Sequence, residues 1–307
     1  MLFANSKEEG KKMKKSRKPL ALLMALAMVF SLAACGTAAS DPTEAPASEA
    51  PTAAPSEEPA GDPVELVVFA AASMEETLTE IQSLYAEVAP NVTLVFNFDS
   101  SGTLKTQIQE GAACDLFISA GQKQMDQLDI TADASVNTEG LDFVLESSRI
   151  DLLENRVTLC VPDGNPKGIT GFDNLAELLS AGDVFMCMGN SDVPVGQYTQ
   201  LILQYYNLDE TTLANNGLIT YGTNVKEVAT QIKEGSVDCG VIYCTDAYSE
   251  DLEIVDYATA EMCGQVIYPA AVLKTSENQE AAQAFLDYLT GDEAMAVFES
   301  VGFAPVA

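Results

Sequence analysis

Residues 65–88 read ELVVFAAASMEETLTEIQSLYAEV, and the change of rhythm inside them decides the fold. The opening ELVVFA is a continuous apolar run, the signature of a strand buried on both faces. Three small residues and a hydroxyl follow. Then Met74, Leu78, Ile81, Leu84, Tyr85 and Val88 recur at helical spacing, which predicts a helix over 74–88. The same rhythm continues along the chain. Strands are expected at Glu65–Ala70, Val92–Phe98, Asp115–Ala120, Arg156–Val161, Asp183–Met188, Val237–Tyr243 and Val266–Leu273. Val225, Val228 and Ile232 mark another helix, and two more close the chain at 279–290 and 292–300. Apolar strands alternating with amphipathic helices predict an α/β protein with mostly parallel, doubly wound sheets, and the number of elements suits two lobes. Such sheets bind ligands beyond the carboxyl ends of their strands.

Four strand-to-helix turns are therefore the candidate site. In the first, AAASMEE (70–76), Ser73 and Glu76 have the spacing of a capping box, and the small residues leave a helix N-terminus open to an anion. The second, DSSGT (99–103), concentrates hydroxyls around a glycine amide. In the third, GNSDVPVGQY (189–198), Pro194 suits the first helical position, which leaves the Val195 amide free. In the fourth, GTNVKE (222–227), Asn224 and Glu227 can cap a helix whose first amide belongs to Val225. The helix behind it leads to the strand CGVIY, with Tyr243 at its carboxyl end. The alternative for each is structural: ordinary caps, and a core tyrosine. Lys226 is the only cation in these motifs, and its side chain is expected to face solvent.

Composition removes whole classes of chemistry. The chain has 307 residues, no His, and a formal charge of −31. Without His there is no Ser-His-Asp or Cys-His catalysis and no His-ligated metal. Seven of the 15 basic residues precede position 19, and the remainder of the chain is strongly acidic. That balance argues against nucleic-acid binding. No Walker A pattern occurs and neither Ser73 nor Ser101 has a base in its motif, while a carboxylate base such as Asp99 or Asp192 stays open.

The N-terminal segment has its own logic. A basic stretch (7–18) precedes an uncharged apolar run, Leu20–Ala34, too short for a spanning helix. It ends LAACG (32–36), which resembles a bacterial lipobox and implies a signal peptide over 1–34 with lipid on Cys35. Residues 36–63 contain six Pro, six acidic residues and no Leu, Ile, Val or Phe, so they read as a solvated tether spanning roughly 30 Å. The expected location is extracytoplasmic, on the cell membrane.

Taken together, VFAAAS (68–73), SSGTLKTQIQEGAACDLFISAG (100–121), VPVGQY (193–198), TNVKEV (223–228), GVIYCTDA (240–247) and VGF (301–303) resemble the ModA-type molybdate-binding proteins of bacterial ABC uptake systems. The resemblance implies the type II periplasmic-binding-protein fold: two doubly wound α/β lobes with the ligand cleft between them. On that fold the crossovers are expected near 146 and 257, giving lobe I as 64–146 plus 258–307 and lobe II as 147–257. It implies that molybdate or tungstate is held by the hydroxyls of Ser73, Ser101 and Tyr243 and the amides of Val195 and Val225. No other cofactor, no direct metal-ion ligand and a monomer are expected. The implied partners are an ABC permease and its ATPase. Asn190, where relatives often carry an acid, and Val195, where a smaller residue is common, depart from the family pattern.

The chemistry is consistent with an oxyanion. A hydrogen bond to a charged group contributes roughly 1.5–3 kcal/mol, so five to eight neutral donors can offset desolvation of a dianion. A fully deprotonated oxyanion only accepts, and a donor-only site suits it better than hydrogen phosphate. Sulfate, another oxyanion or a small carboxylate is the competing cargo; an enzyme and an adhesin or sensor are the competing classes. Six cysteines follow Cys35, and those in core strands are expected to be buried thiols, with a 160/187 or 239/263 disulfide as the alternative.

Overall fold

The computed structural model describes residues 61–306. The signal peptide, Cys35 and nearly all of the tether lie outside the described residues.

Eleven strands form two mixed sheets. They are β1 (Val64–Ala71), β2 (Val92–Asp99), β3 (Leu116–Ile118), β4 (Ile150–Asn155), β5 (Val157–Val161), β6 (Met186–Gly189), β7 (Ile219–Gly222), β8 (Cys239–Tyr243), β9 (Glu253–Tyr257), β10 (Val266–Val272) and β11 (Ala304–Pro305). The first sheet has the order β11-β4-β10-β3-β1-β2, and the second β7-β6-β8-β5-β9. The helices between them are α1 (Glu75–Val88), α2 (Ser101–Gln109), α3 (Gln122–Asp126), α4 (Phe172–Ala181), α5 (Pro194–Tyr205), α6 (Glu210–Asn215), α7 (Val225–Lys233), α8 (Cys244–Ser249), α9 (Ala260–Cys263), α10 (Gln279–Leu289) and α11 (Asp292–Ser300).

The sheets are less parallel than the sequence pattern predicts. β1 runs parallel to β2 and β3, and β6 runs parallel to β7 and β8. Every antiparallel pair involves β4, β5 or β10, the strands that flank the two passages between sheets. A chain arriving from the other lobe enters the sheet from the opposite end, so its strands run against the rest.

The passages also fall later than expected. β4 pairs with β10 and β11, so residues 150–155 belong to the first sheet and the chain crosses at Asn155–Arg156, not near 146. Buried Leu152 and Leu153 hold this strand in the first core. On the return, β9 closes the second sheet and α9 packs on α5, so the crossing lies between Cys263 and Val266. β4, β7, β9 and β11 are short, and their sequences carry no unbroken apolar run.

α1 shows how the pattern becomes packing. Met74, Leu78, Ile81 and Tyr85 are buried against the sheet, each side chain contributing about 1.5–3 kcal/mol. Val88, on the same stripe, is 61% exposed because the helix ends there beyond the edge of the core. The six cysteines of this region are buried thiols. Burial raises Cys160 and Cys187 to about 12, so neither is a nucleophile at neutral pH.

Candidate functional site

The four turns converge between the sheets. β1 does not run straight into α1; a 3-10 turn over Ala72–Met74 intervenes. Ser73 therefore lies inside that turn, not at the helix N-cap, and the expected capping box with Glu76 does not form. Its hydroxyl instead shares a 2.9 Å hydrogen bond with the Tyr268 hydroxyl, which also accepts from Asn155 Nδ2 at 3.1 Å. Tyr268 and Asn155 escape sequence reasoning, since a mid-strand tyrosine and a strand-end asparagine carry no local signal.

At the second turn the cap is Ser100, whose Oγ accepts from the Thr103 N–H at 3.2 Å. Ser101 is left free of that duty. Fully buried, its Oγ accepts the Ala120 N–H at 2.9 Å, and the Ala120 carbonyl in turn accepts from the Tyr243 hydroxyl at 3.3 Å. One residue, just past β3, thus ties a serine of the first lobe to a tyrosine of the second through its two flanking peptide groups. Tyr243 is buried edge-on to Tyr268, with ring centroids 5.6 Å apart. Burial raises its phenol well above the ordinary value, so it stays protonated and remains a donor.

The second lobe supplies helix starts. Pro194 occupies the first position of α5, as expected, and the Val195 amide behind it has no intrahelical acceptor. A side chain on Gly196 would come within 2.3 Å of the Gly189 and Asn190 carbonyls, so glycine lets this helix start on the preceding turn. At α7, the Asn224 side chain accepts the Glu227 N–H at 3.0 Å. Glu227 reaches back to the Thr223 N–H at 2.7 Å, one residue before the cap. The Val225 amide remains free of an intrahelical partner.

Ser73, Ser101, Val225 and Tyr243 line a single small cavity. Val193 and Pro194 form the wall at the third turn, and Val195, although fully buried, is not itself among the lining residues. Ala71, Ala72, Ala120, Ser100 and Asp99 complete the wall. No Lys or Arg lines it. Asp99 is the one acidic side chain there, and its Oδ1 accepts the Ser100 N–H at 2.7 Å. Its free space is about 10 Å³, room for a water-sized group, far below the roughly 300–1,000 Å³ of sites for drug-sized ligands. Elsewhere among the described residues, no cluster of three Cys, Asp or Glu is placed to hold a metal cation.

The lobes meet tightly here. A Cβ on Gly102, in the first turn of α2, would lie 2.1 Å from the Asp192 carbonyl of the opposite lobe. A glycine is required for so close an approach.

The family model for bacterial extracellular solute-binding proteins matches residues 66–304, which holds both sheets and all four turns. The chain belongs to that family. This solute-binding protein is 34% identical over 242 residues to YvgL of Bacillus subtilis (strain 168), named for an inferred role as an ABC transporter substrate-binding lipoprotein; the match covers 78% of this chain and 86% of YvgL. It is 28% identical to the molybdate-binding protein ModA of Haemophilus influenzae over 78% of this chain and 90% of ModA. Its fold matches that of the periplasmic molybdate-binding protein of Azotobacter vinelandii, with a TM-score of 0.66 at 21% identity over 79% of this chain and all of that one. The solute-binding protein thus has the expected type II architecture, two α/β lobes around a cleft. Among the described residues no helix is long and apolar enough to cross a membrane.

Proposed function

We propose that this protein captures molybdate or tungstate between its lobes outside the cytoplasm and delivers it to an ABC permease driven by its ATPase. The observation that carries the reading is the small cavity walled by Ser73, Ser101 and Tyr243, with helix starts at Pro194 and Val225 and no cation. Hydroxyls and amides can donate to every oxygen of a tetrahedral dianion at once. Helix starts add about 0.3–1 kcal/mol each. The acidic surface opposes this only weakly, because charges beyond about 8 Å are screened at physiological salt. The named binding role of the ModA relative points to the same cargo. The protein acts by binding, not by turnover, and as a monomer. Cys35 carries the lipid anchor, in line with the lipoprotein name of YvgL.

Asp99 favours a second reading. A carboxylate in the wall can accept a proton from a protonated oxyanion such as hydrogen phosphate, which a donor-only wall cannot. Calorimetric titration with molybdate, tungstate, sulfate and phosphate separates the two. Tight one-to-one binding of molybdate and tungstate with phosphate silent supports the first reading. Preference for phosphate, lost in Asp99→Asn, supports the second. Silence toward all four refutes both.

A further inference from the structure

Lys226 does not face solvent as its sequence position suggests. It directly follows Val225 in the first turn of α7, and its side chain is only 20% exposed. Its ammonium bonds Glu76 Oε1 at 2.5 Å. Glu76 lies in the first turn of α1, three residues beyond Ser73, so this ion pair joins the two lobes beside the cavity. The other ion pairs among the described residues each lie within one lobe.

The same ammonium lies 3.9 Å from Oδ1 of Asp246, in α8 of its own lobe. Asp246 is completely buried, and neither of its carboxylate oxygens has a hydrogen-bond partner. An ionised carboxylate in that position is costly unless a cation is near. Lys226 thus has two competing acceptors. Asp246 belongs to the same lobe as Lys226, whereas Glu76 belongs to the other.

We propose that Lys226 is a closure latch: its ammonium pairs with Asp246 when the lobes are apart and passes to Glu76 when they close, so that the ion pair stabilises the closed, cargo-holding arrangement. This rests on the cleft being the binding site. Lys226 is a positioning residue, since its side chain is spent on two carboxylates. The latch acts on cargo release more than on capture, because the bond exists only after closure.

The experiment uses the full chain with Lys226→Gln, Lys226→Arg, Glu76→Gln and the Lys226→Gln/Glu76→Gln double variant. Molybdate release is followed by stopped flow, and lobe separation by small-angle scattering without any anion. Lys226→Gln is expected to release molybdate about fivefold faster, the size of a partly exposed ion pair. Lys226→Arg restores most of the parent rate, and the double variant is no faster than Lys226→Gln alone, because both remove one bond. Without anion, Lys226→Gln has the larger radius of gyration. Additive effects of the two single changes, or parent-like release from Lys226→Gln, overturn the latch. If the parent ignores molybdate, the cargo reading fails while the scattering still decides: equal radii for parent and Lys226→Gln overturn the latch as well.

Discussion

The two lobes contribute to the cavity in different currencies. The first lobe offers side chains, the hydroxyls of Ser73 and Ser101 on turns after β1 and β2. The second offers the start of α7 with its free Val225 amide, the wall of Val193 and Pro194 at α5, and Tyr243 as its single lining hydroxyl. Side-chain donors are legible in a sequence and can be deleted by mutation. Backbone donors are specified by what holds the helix start in place: Pro194 at one turn, and Asn224 with Glu227 at the other. The identity of the Val225 side chain is nearly irrelevant to the amide it carries.

The comparison presupposes that the lobes meet. Gly102→Ala places a methyl 2.1 Å from the Asp192 carbonyl, so closure is blocked while each lobe keeps its own core. Oxyanion affinity should fall on the order of 100-fold, since only the open fraction remains populated. Calorimetry beside a melting curve checks this; parent-like affinity would mean that the lobes close by another path.

Deleting donors comes next. Ser101→Ala and Tyr243→Phe should each cost roughly tenfold or more in affinity, the worth of a hydrogen bond to a charged group. The backbone counterpart is Val225→Pro. Proline is tolerated at the first helical position, where Val225 stands, so it removes the N–H and spares the helix. A loss similar to that of Ser101→Ala is expected with an unchanged far-UV spectrum. Undiminished binding by Val225→Pro would break the side-chain-against-backbone contrast.

Asp246 gives a smaller effect, read in stability. Burial, only partly offset by Lys226 and reinforced by Glu76 and Glu250, raises its carboxyl to about 7. Tyr243, Tyr268, Cys160 and Cys244 are the other titratable groups that sense it, and all stay neutral near pH 7. Between about pH 4 and 7 the unfolded carboxyl ionises while the folded one keeps its proton, so stability falls as pH rises through that window. Asp246→Asn removes this dependence. Its melting temperature should exceed the parent's by a few degrees at pH 8, at about 2–4 °C per kcal/mol, and converge with it near pH 4. Parallel curves from pH 4 to 8 would show that the buried charge is compensated. Smallest of all, Val225→Ala should change affinity less than about threefold, because the amide survives; a large loss would assign the contact to the side chain.

Two turns with the same spacing show how far sequence reading reaches. Asn224 and Glu227 lie three apart, as do Ser73 and Glu76, yet only the first pair caps its helix. The 3-10 turn before α1 moves Ser73 off the cap and leaves its hydroxyl to Tyr268. Local spacing identifies groups able to cap; whether the backbone puts them at the cap depends on how strand and helix dock. The same limit separates Ser101, found from its motif, from Ala120, whose N–H and carbonyl join Ser101 to Tyr243 and which has no side-chain chemistry to give it away.

By itself the sequence determined the apolar strands of both cores, the four strand-to-helix turns, and the absence of histidine chemistry, but not β4, β7, β9 or β11. Those are properties of contiguous residues, set by periodicity, proline and glycine geometry, and composition. Only the tertiary structure decided that β4 stays in the first sheet, that Gly102 must admit the Asp192 carbonyl, and that Lys226 turns from solvent to Glu76, 150 residues away. Each depends on how one lobe lies against the other. A residue's own pattern reports which face it buries; it holds no record of the distant surface that face will meet.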